Sequence, residues 1–172
     1  MRTVNKVSEL KKHLHVEKLQ DRSIGFIPTM GALHNGHISL LKKSIAENEI
    51  SVVSIFVNPT QFNQKEDLIK YPRNLEKDSQ FLSSHGCNYL FAPGVKDVYP
   101  KNLKTTADLD ISQFTHNMEG PNRPGHFEGV VQVVNRLIKI VKPDNIYMGQ
   151  KDFQQFSIID YMLKSFKLKT NH

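Results

Sequence analysis

The run EISVVSIFV at residues 49–57 constrains this chain more than any other feature, because six of its nine side chains are apolar and β-branched or aromatic and the rest are two serines and the opening glutamate. A strand with one wet face alternates apolar and polar residues, whereas a strand covered on both faces reads as a continuous apolar run. The run therefore predicts a central strand of a parallel sheet with helices on either side. IGFIP (24–28), NYLFAP (88–93) and NIYMG (145–149) are shorter runs of the same character. Segments with helical apolar spacing lie between them. Residues 5–20 carry Val7, Leu10, Leu14 and Leu19, and residues 35–48 carry Ile38, Leu40, Leu41 and Ile45. A third helix is predicted over 74–85, ended by Gly86, and a fourth over 126–141, buried through Val130, Val133, Val134, Leu137, Ile138 and Val141 and stopped by Pro143. Residues 152–165 make the last helix, and SFKLKT (165–170) reads as the start of a fifth strand. Residues 94–124 are rich in turn-formers, with room for one strand near ADLDI (107–111). Strands alternating with helices are βαβ units, so the expected class is α/β, a Rossmann-like doubly wound parallel sheet forming one domain over 1–172. Ligands in such folds bind at the carboxyl ends of the strands, where strand order reverses. The residues that follow 28, 57, 93 and 149 are thus the candidates.

Composition narrows the function classes. The net charge of +6 suits nucleic acid, an acidic membrane surface or a small anionic ligand. The Lys and Arg residues are scattered and no aromatic-basic RNA motif occurs, so a nucleic-acid partner is not expected. No run of eighteen apolar residues exists, which disfavours a membrane partner. The start, MRTVNKVSELKKHL, lacks the apolar stretch of a signal peptide. The single Cys87 cannot form an internal disulfide and fits a reducing, cytoplasmic setting.

The first strand runs into PTMGALHNGH (28–37), which puts two histidines around a glycine at a strand-to-helix junction. A helix N-terminus offers unpaired N–H groups and a partial positive charge, which suits phosphate. Gly31 and Gly36 would let a nucleotide approach the backbone, while His34 and His37 would donate hydrogen bonds to its phosphates and to a departing pyrophosphate. Zinc would need a third ligand and the zinc-protease glutamate is absent; no GxGxxG follows any strand, which disfavours NAD. After the second strand, NPTQF (58–62) places the neutral amides of Asn58 and Gln61, which bind a carboxylate without neutralising it. In EGPNRPGHFEG (119–129), Arg123 and His126 either contact an anion or hold the loop. After the fourth strand, MGQKDFQQF (148–156) offers Gly149 for close approach and Lys151 for phosphate. Asp152 is left to a ribose hydroxyl, a metal or the helix N-cap. Gln154 and Gln155 are adjacent on a helix, so only one of them is expected to face the site.

Together PTMGALHNGH, FVNPTQF, YPR (71–73), FAP, YP (99–100), RPGHFEGV and GQKDFQQF closely resemble the pantothenate synthetase (pantoate–β-alanine ligase) family, within the HxGH nucleotidyltransferase superfamily. The resemblance runs from about residue 24 to residue 165. It implies a two-step reaction in which pantoate attacks the α-phosphate of ATP to give pantoyl adenylate and pyrophosphate. The amine of β-alanine then displaces AMP and yields pantothenate, with Mg2+ accompanying the ATP. Carried over, Met30, Gly31, Ala32, Leu33, His34, Asn35, Gly36 and His37 would line the ATP site, with His37 as proton donor and His34 assisting on the phosphates. Gly149, Gln150, Lys151 and Asp152 would bind ATP, Lys151 acting on the phosphates. Gln61 and Gln155 would hold pantoate from two sides, Gln61 also helping to place β-alanine, with Asn58 in support. No metal site on the protein itself is implied, and a homodimer is. The family's KMSKS-like segment, its Ser-Ser-Arg-Asn signature and its small C-terminal domain are not in this sequence. The expectation is therefore a truncated piece that recognises pantoate but turns over little. The alternatives are another HxGH nucleotidyltransferase acting on a small acceptor, distinguished by phosphate-binding cations in the acceptor site, and a non-catalytic RNA-binding module.

Overall fold

The β-branched run forms the middle of a five-stranded parallel sheet in a computed structural model that describes residues 1–62, 64–102 and 104–172. The strands are β1 (Arg2–Val4), β2 (Ile24–Thr29), β3 (Ile50–Ile55), β4 (Tyr89–Phe91) and β5 (Asn145–Ile146), in the spatial order β1-β4-β3-β2-β5. In β3, Val52 faces one core and Val53 the other, so successive side chains of one strand feed two apolar layers. The larger layer packs α1 (Val7–Leu19), α7 (His126–Val141) and α8 (Phe153–Ser165) on one face of the sheet. The smaller packs α2 (Asn35–Glu47) and α4 (Leu75–Ser83) on the other. Short helices α3 (Lys65–Lys70), α5 (Val95–Val98) and α6 (Ser112–Thr115) complete the connections among the described residues.

From β2 the chain steps outward to β3 and β4, then crosses back to place β5 on the other side of β2. Strand order therefore reverses between β2 and β5, and a crevice opens at their carboxyl ends.

Several local expectations differ from the structure. β1 was not anticipated: it has three residues, only Val4 of them buried, and it is a strand because β4 offers a parallel partner with Val4 opposite Phe91. ADLDI (107–111) does alternate in burial, with Ile111 buried and Leu109 against the core, but it pairs with no strand among the described residues and is not a strand. SFKLKT (165–170) is not a strand either; α8 runs to Ser165, Lys167 turns left-handed at φ 49°, and one bridge from Asn171 to Asn145 remains. Of NIYMG (145–149), two residues pair as β5, and Tyr147 adds one bond to the Phe26 carbonyl before the chain leaves the sheet. Leu19 and Ile45, assigned to apolar helix faces, are 71% and 41% exposed.

Candidate active site

The site begins where β2 ends. The Thr29 hydroxyl donates to the Ser54 carbonyl at 2.7 Å and accepts from the Gly31 N–H at 3.2 Å, which ties the strand end to β3. Gly31 and Ala32 then turn left-handed, at φ 87° and 53°. The turn is gripped from α4 by Asp78, whose two carboxylate oxygens accept from the Ala32 and Leu33 N–H groups, both at 2.9 Å.

Helix α2 follows, and its two histidines cap it reciprocally. The Gly36 N–H donates to His34 Nδ1 at 3.1 Å, and the His34 N–H donates to His37 Nδ1 at 3.3 Å. A backbone N–H can donate only to an unprotonated ring nitrogen, so each neutral imidazole carries its proton on Nε2. Both rings thus offer an N–H beside the start of a helix, where an anion is favoured. Burial lowers the proton affinity of His37, the neighbouring His34 lowers it further, and the Asp78 carboxylate opposes both. At Gly36 the His34 imidazole packs directly over the backbone. A Cβ there would lie 2.8 Å from His34 Cε1, so the space above it belongs to the imidazole.

Gln61 closes a 3-10 turn, Pro59–Gln61, that follows β3. Asn58 lies fully buried beneath it. The Asn58 side chain donates to the Gly129 carbonyl at 3.0 Å and to Gln61 Oε1 at 3.3 Å, and accepts from the Thr60 and Tyr99 hydroxyls, each at 3.1 Å. Because the Gln61 oxygen is held by Asn58, its amide nitrogen points across to Met30, 3.0 Å from the sulfur. The first turn of α7 braces the same loop. His126 donates from Nδ1 to the Gln61 carbonyl at 2.8 Å, and Gly129 lets the helix lie directly on the Thr60–Gln61 backbone. Burial lowers the proton affinity of His126. Of the two readings open for His126, it holds the loop.

Met30, Gly31, Ala32, His34, His37, Gln61, Asp152 and Gln155 converge on one cleft of about 430 Å³ at the switch point. Phe56 and the α7 residues Val130, Val133, Val134 and Leu137 form its apolar wall. No Lys or Arg lines it among the described residues. Gln155 faces this cleft, whereas Gln154 is buried and bonded to the carbonyls of Phe114 and Asn117 and the N–H of Glu119. Lys151 lies outside, in an adjoining depression with Arg123 and Glu119 that shares Met30, Gln61, Asp152 and Gln155 with the cleft. Gly149 and Gln150 lie beyond Met148, in a further depression bounded by Tyr147 and Phe156. The structure thus does not bring Gly149, Gln150 and Lys151 into one cavity with the histidines. Leu33 packs against the smaller core and Asn35 is exposed at the start of α2, so neither is among the residues that line the cleft. Asp152 precedes α8 without a side-chain cap bond, so the capping alternative is not realised. A larger, open depression at the opposite end of the sheet, near His13 and Arg22, contains none of the candidate residues.

Sequence reasoning gave no site role to Tyr71, which opens the YPR motif and lines the cleft, and missed Asp78. Asp78 stands four residues before the buried Leu82, so a charge on the apolar face of a helix was the available signal. The four aliphatic residues of α7 read as core because wall and core demand the same side chains.

A cleft with two neutral amides, two imidazole donors and an apolar wall suits a small carboxylic acid held beside a phosphate chain. Comparison with known proteins identifies the family. The family model described as pantoate-beta-alanine ligase matches residues 2–171. The pantothenate synthetase of Bacteroides fragilis is 48% identical over 164 residues, which is 95% of this chain and 57% of that protein. That of Rhizobium etli is 50% identical, over 95% of this chain and 54% of the relative. The chain therefore spans a little over half the length of these relatives. Among solved structures, the pantothenate synthetase of Thermus thermophilus superposes with a TM-score of 0.91 at 42% identity, over 99% of this chain and 60% of the other. The pantoate-beta-alanine ligase of Francisella tularensis, crystallised with beta-gamma ATP and beta-alanine, gives 0.93 at 42% identity, over 99% of this chain and 65% of the other. With a match from one end of the sheet to the other, the chain belongs to the pantoate-beta-alanine ligase family.

Proposed function

We propose that this chain forms the acyl-adenylate site of an ATP-dependent ligase that joins pantoate to β-alanine. Pantoate lies along the apolar wall of α7, its carboxylate and hydroxyls held by Gln61 and Gln155. Neutral amides leave the carboxylate nucleophilic, and it attacks the α-phosphate of ATP while His34 and His37 donate from Nε2 to the phosphates. Pyrophosphate leaves with the electrons of the broken bond. The β-alanine amine then attacks the acyl carbon and expels AMP. Lys151 serves the phosphates from the adjoining depression, with Asp152, Gly149 and Gln150 toward the nucleotide. Mg2+ fits as an ion carried chiefly by the triphosphate, whose charge it offsets. Asp152 is the one carboxylate lining the cleft, and no cluster of three His, Cys, Asp or Glu able to hold a metal occurs among the described residues. The homodimer belongs to the same proposal and is checked by sedimentation.

The observation that carries this reading is the meeting of the His34–His37 pair with Gln61 and Gln155 in one cleft at the switch point. The absence of Lys and Arg from the described lining favours a carboxylate acceptor over the phosphorylated acceptor of another HxGH nucleotidyltransferase. Calorimetric titration with a non-hydrolysable pantoyl-adenylate mimic tests it: binding by the wild type and loss of binding in a folded Gln61→Ala are expected. A folded wild type that ignores the mimic would sink the reading.

A further inference from the structure

Asp78 stands on α4, outside every segment that the motifs assign to the site, yet it is only 5% exposed. Its oxygens divide between two backbone donors, Oδ2 taking the Ala32 N–H and Oδ1 the Leu33 N–H. These donors belong to the turn in which Gly31 and Ala32 are left-handed. For Ala32 that course is uphill, because its Cβ crowds the backbone. Successive N–H groups in such a turn form a concavity that takes an anion, and here a side chain supplies it. Bonds from backbone N–H to a carboxylate are of the stronger kind, and burial spares them from screening.

We propose that Asp78 is a positioning residue for the adenylating histidines: its carboxylate holds the Gly31–Leu33 turn in its left-handed course and so fixes how His34 and His37 exchange their backbone caps. The proposal rests on the reading of the cleft as an acyl-adenylate site. The chain of contacts is short. Leu33, bonded to Asp78, leads directly into His34, the N-cap of α2. The His34 N–H is the donor to His37 Nδ1, and His34 Nδ1 is the acceptor for Gly36. A relaxed turn would rotate the His34 peptide, break the reciprocal pair and free both rings to exchange tautomers. The charge has a second effect. It sustains the proton affinity of His37 against burial and His34. Tyr71 and Asp152 are the other titratable groups lining the same cleft. A neutral residue at this position removes the opposing field as well as half of the grip.

The test uses the chain labelled with 15N-histidine, and its first reading needs no ligand. In the wild type both neutral imidazoles are expected as Nε2–H tautomers; either ring protonated on Nδ1 overturns the proposal whatever the variants do. In the nearly isosteric D78N, one N–H keeps its acceptor and the other meets an amide NH2. The His34 and His37 resonances are expected to change, the His37 titration midpoint to move down, and affinity for the pantoyl-adenylate mimic to fall about tenfold or more. D78E restores the charge, so the His37 midpoint returns to the wild-type value while affinity returns only in part. A folded D78N with wild-type spectra and affinity overturns the proposal. Should D78N not fold, a folded D78E with a lowered His37 midpoint does so. A wild type that fails to bind the mimic counts against the acyl-adenylate reading alone, and the imidazole spectra still decide the positioning role.

Discussion

Replacing Gly129 by alanine should damage the site from behind. A Cβ at that position falls 2.6 Å from the Thr60 carbonyl oxygen, 2.7 Å from Gln61 Cα and 2.8 Å from the Gln61 nitrogen. All three are backbone atoms of a turn tied down by Asn58 and His126, so no side chain can swing aside. Ordinary contact starts near 3.4 Å. Helix and turn must therefore part by about 0.8 Å, and overpacking of this kind costs roughly 1–3 kcal/mol. For a chain of this length the melting temperature should drop by roughly 3–10 °C. The same movement carries the Gln61 amide off its target and stretches the bonds that orient it, at 2.8 Å from His126 and 3.0 Å from Asn58 to Gly129. Misplacement approaching 1 Å weakens a positioned contact by about ten- to a hundredfold. Differential scanning calorimetry and titration with the pantoyl-adenylate mimic read the two effects separately. A Gly129→Ala protein that melts and binds like the wild type would refute the claim that this glycine exists to seat α7 on the Gln61 turn.

Gly149→Ala should behave in the opposite way: nothing lies within 4 Å of the added Cβ, so melting is unchanged, while titration with a non-hydrolysable ATP analogue shows weakened binding if the nucleotide lies along this backbone. Adjacent glutamines should separate by assay. Gln155→Ala leaves the melting temperature in place and weakens mimic binding, whereas Gln154→Ala removes a buried amide from three backbone partners and costs roughly 1–3 kcal/mol in urea unfolding. Acid should destabilise the fold before its carboxylates titrate. His37 and His126 both have proton affinities lowered by folding, so below the unfolded value near 6.5 the unfolded chain binds more protons. Stability is then full above about pH 6.5 and falls as pH drops toward the folded values. Melting temperatures from pH 7.5 to pH 5.5 should fall less steeply in His126→Gln than in the wild type, and parallel curves would count against burial as the cause.

What the sequence disclosed follows from where the determining interactions lie. β3 and α7 are legible because burial on both faces, or on a broad helical face, is written into consecutive residues. β1 is not, since three residues with one buried side chain become a strand only through a partner eighty-odd positions away, which leaves no local trace. The converse case is ADLDI, which has the alternation of a strand and lacks the partner. In the site, His34, His37 and Gln61 are legible because polar groups at strand ends and first helical turns have a place waiting for them in this fold, whereas spacing leaves Gln154 and Gln155 equivalent and the family resemblance alone points to Gln155. Asp78 could not be placed, because its meaning lies in two N–H groups of a turn that sequence treats as distant. Lys151 falls in the adjoining cavity while its neighbour Asp152 lines both, since the sequence does not say to which side a loop residue turns.

The crossover from β4 back to β5 has a consequence for how long the folded chain survives. Gln61 precedes that crossover and Gln155 follows it, so the two amides meet only after the longest excursion of the chain has been closed and α7 has docked. Contacts between distant segments of a parallel sheet are the slow and late ones to form. A small acid that bridges the two glutamines therefore has nothing to hold in a chain that has opened. Bound there as proposed, it would hold the crossover shut, and at a hundred times its dissociation constant it would add about 2.7 kcal/mol against opening. On the proposed function, the supply of pantoate would set the persistence of the catalyst as well as its rate.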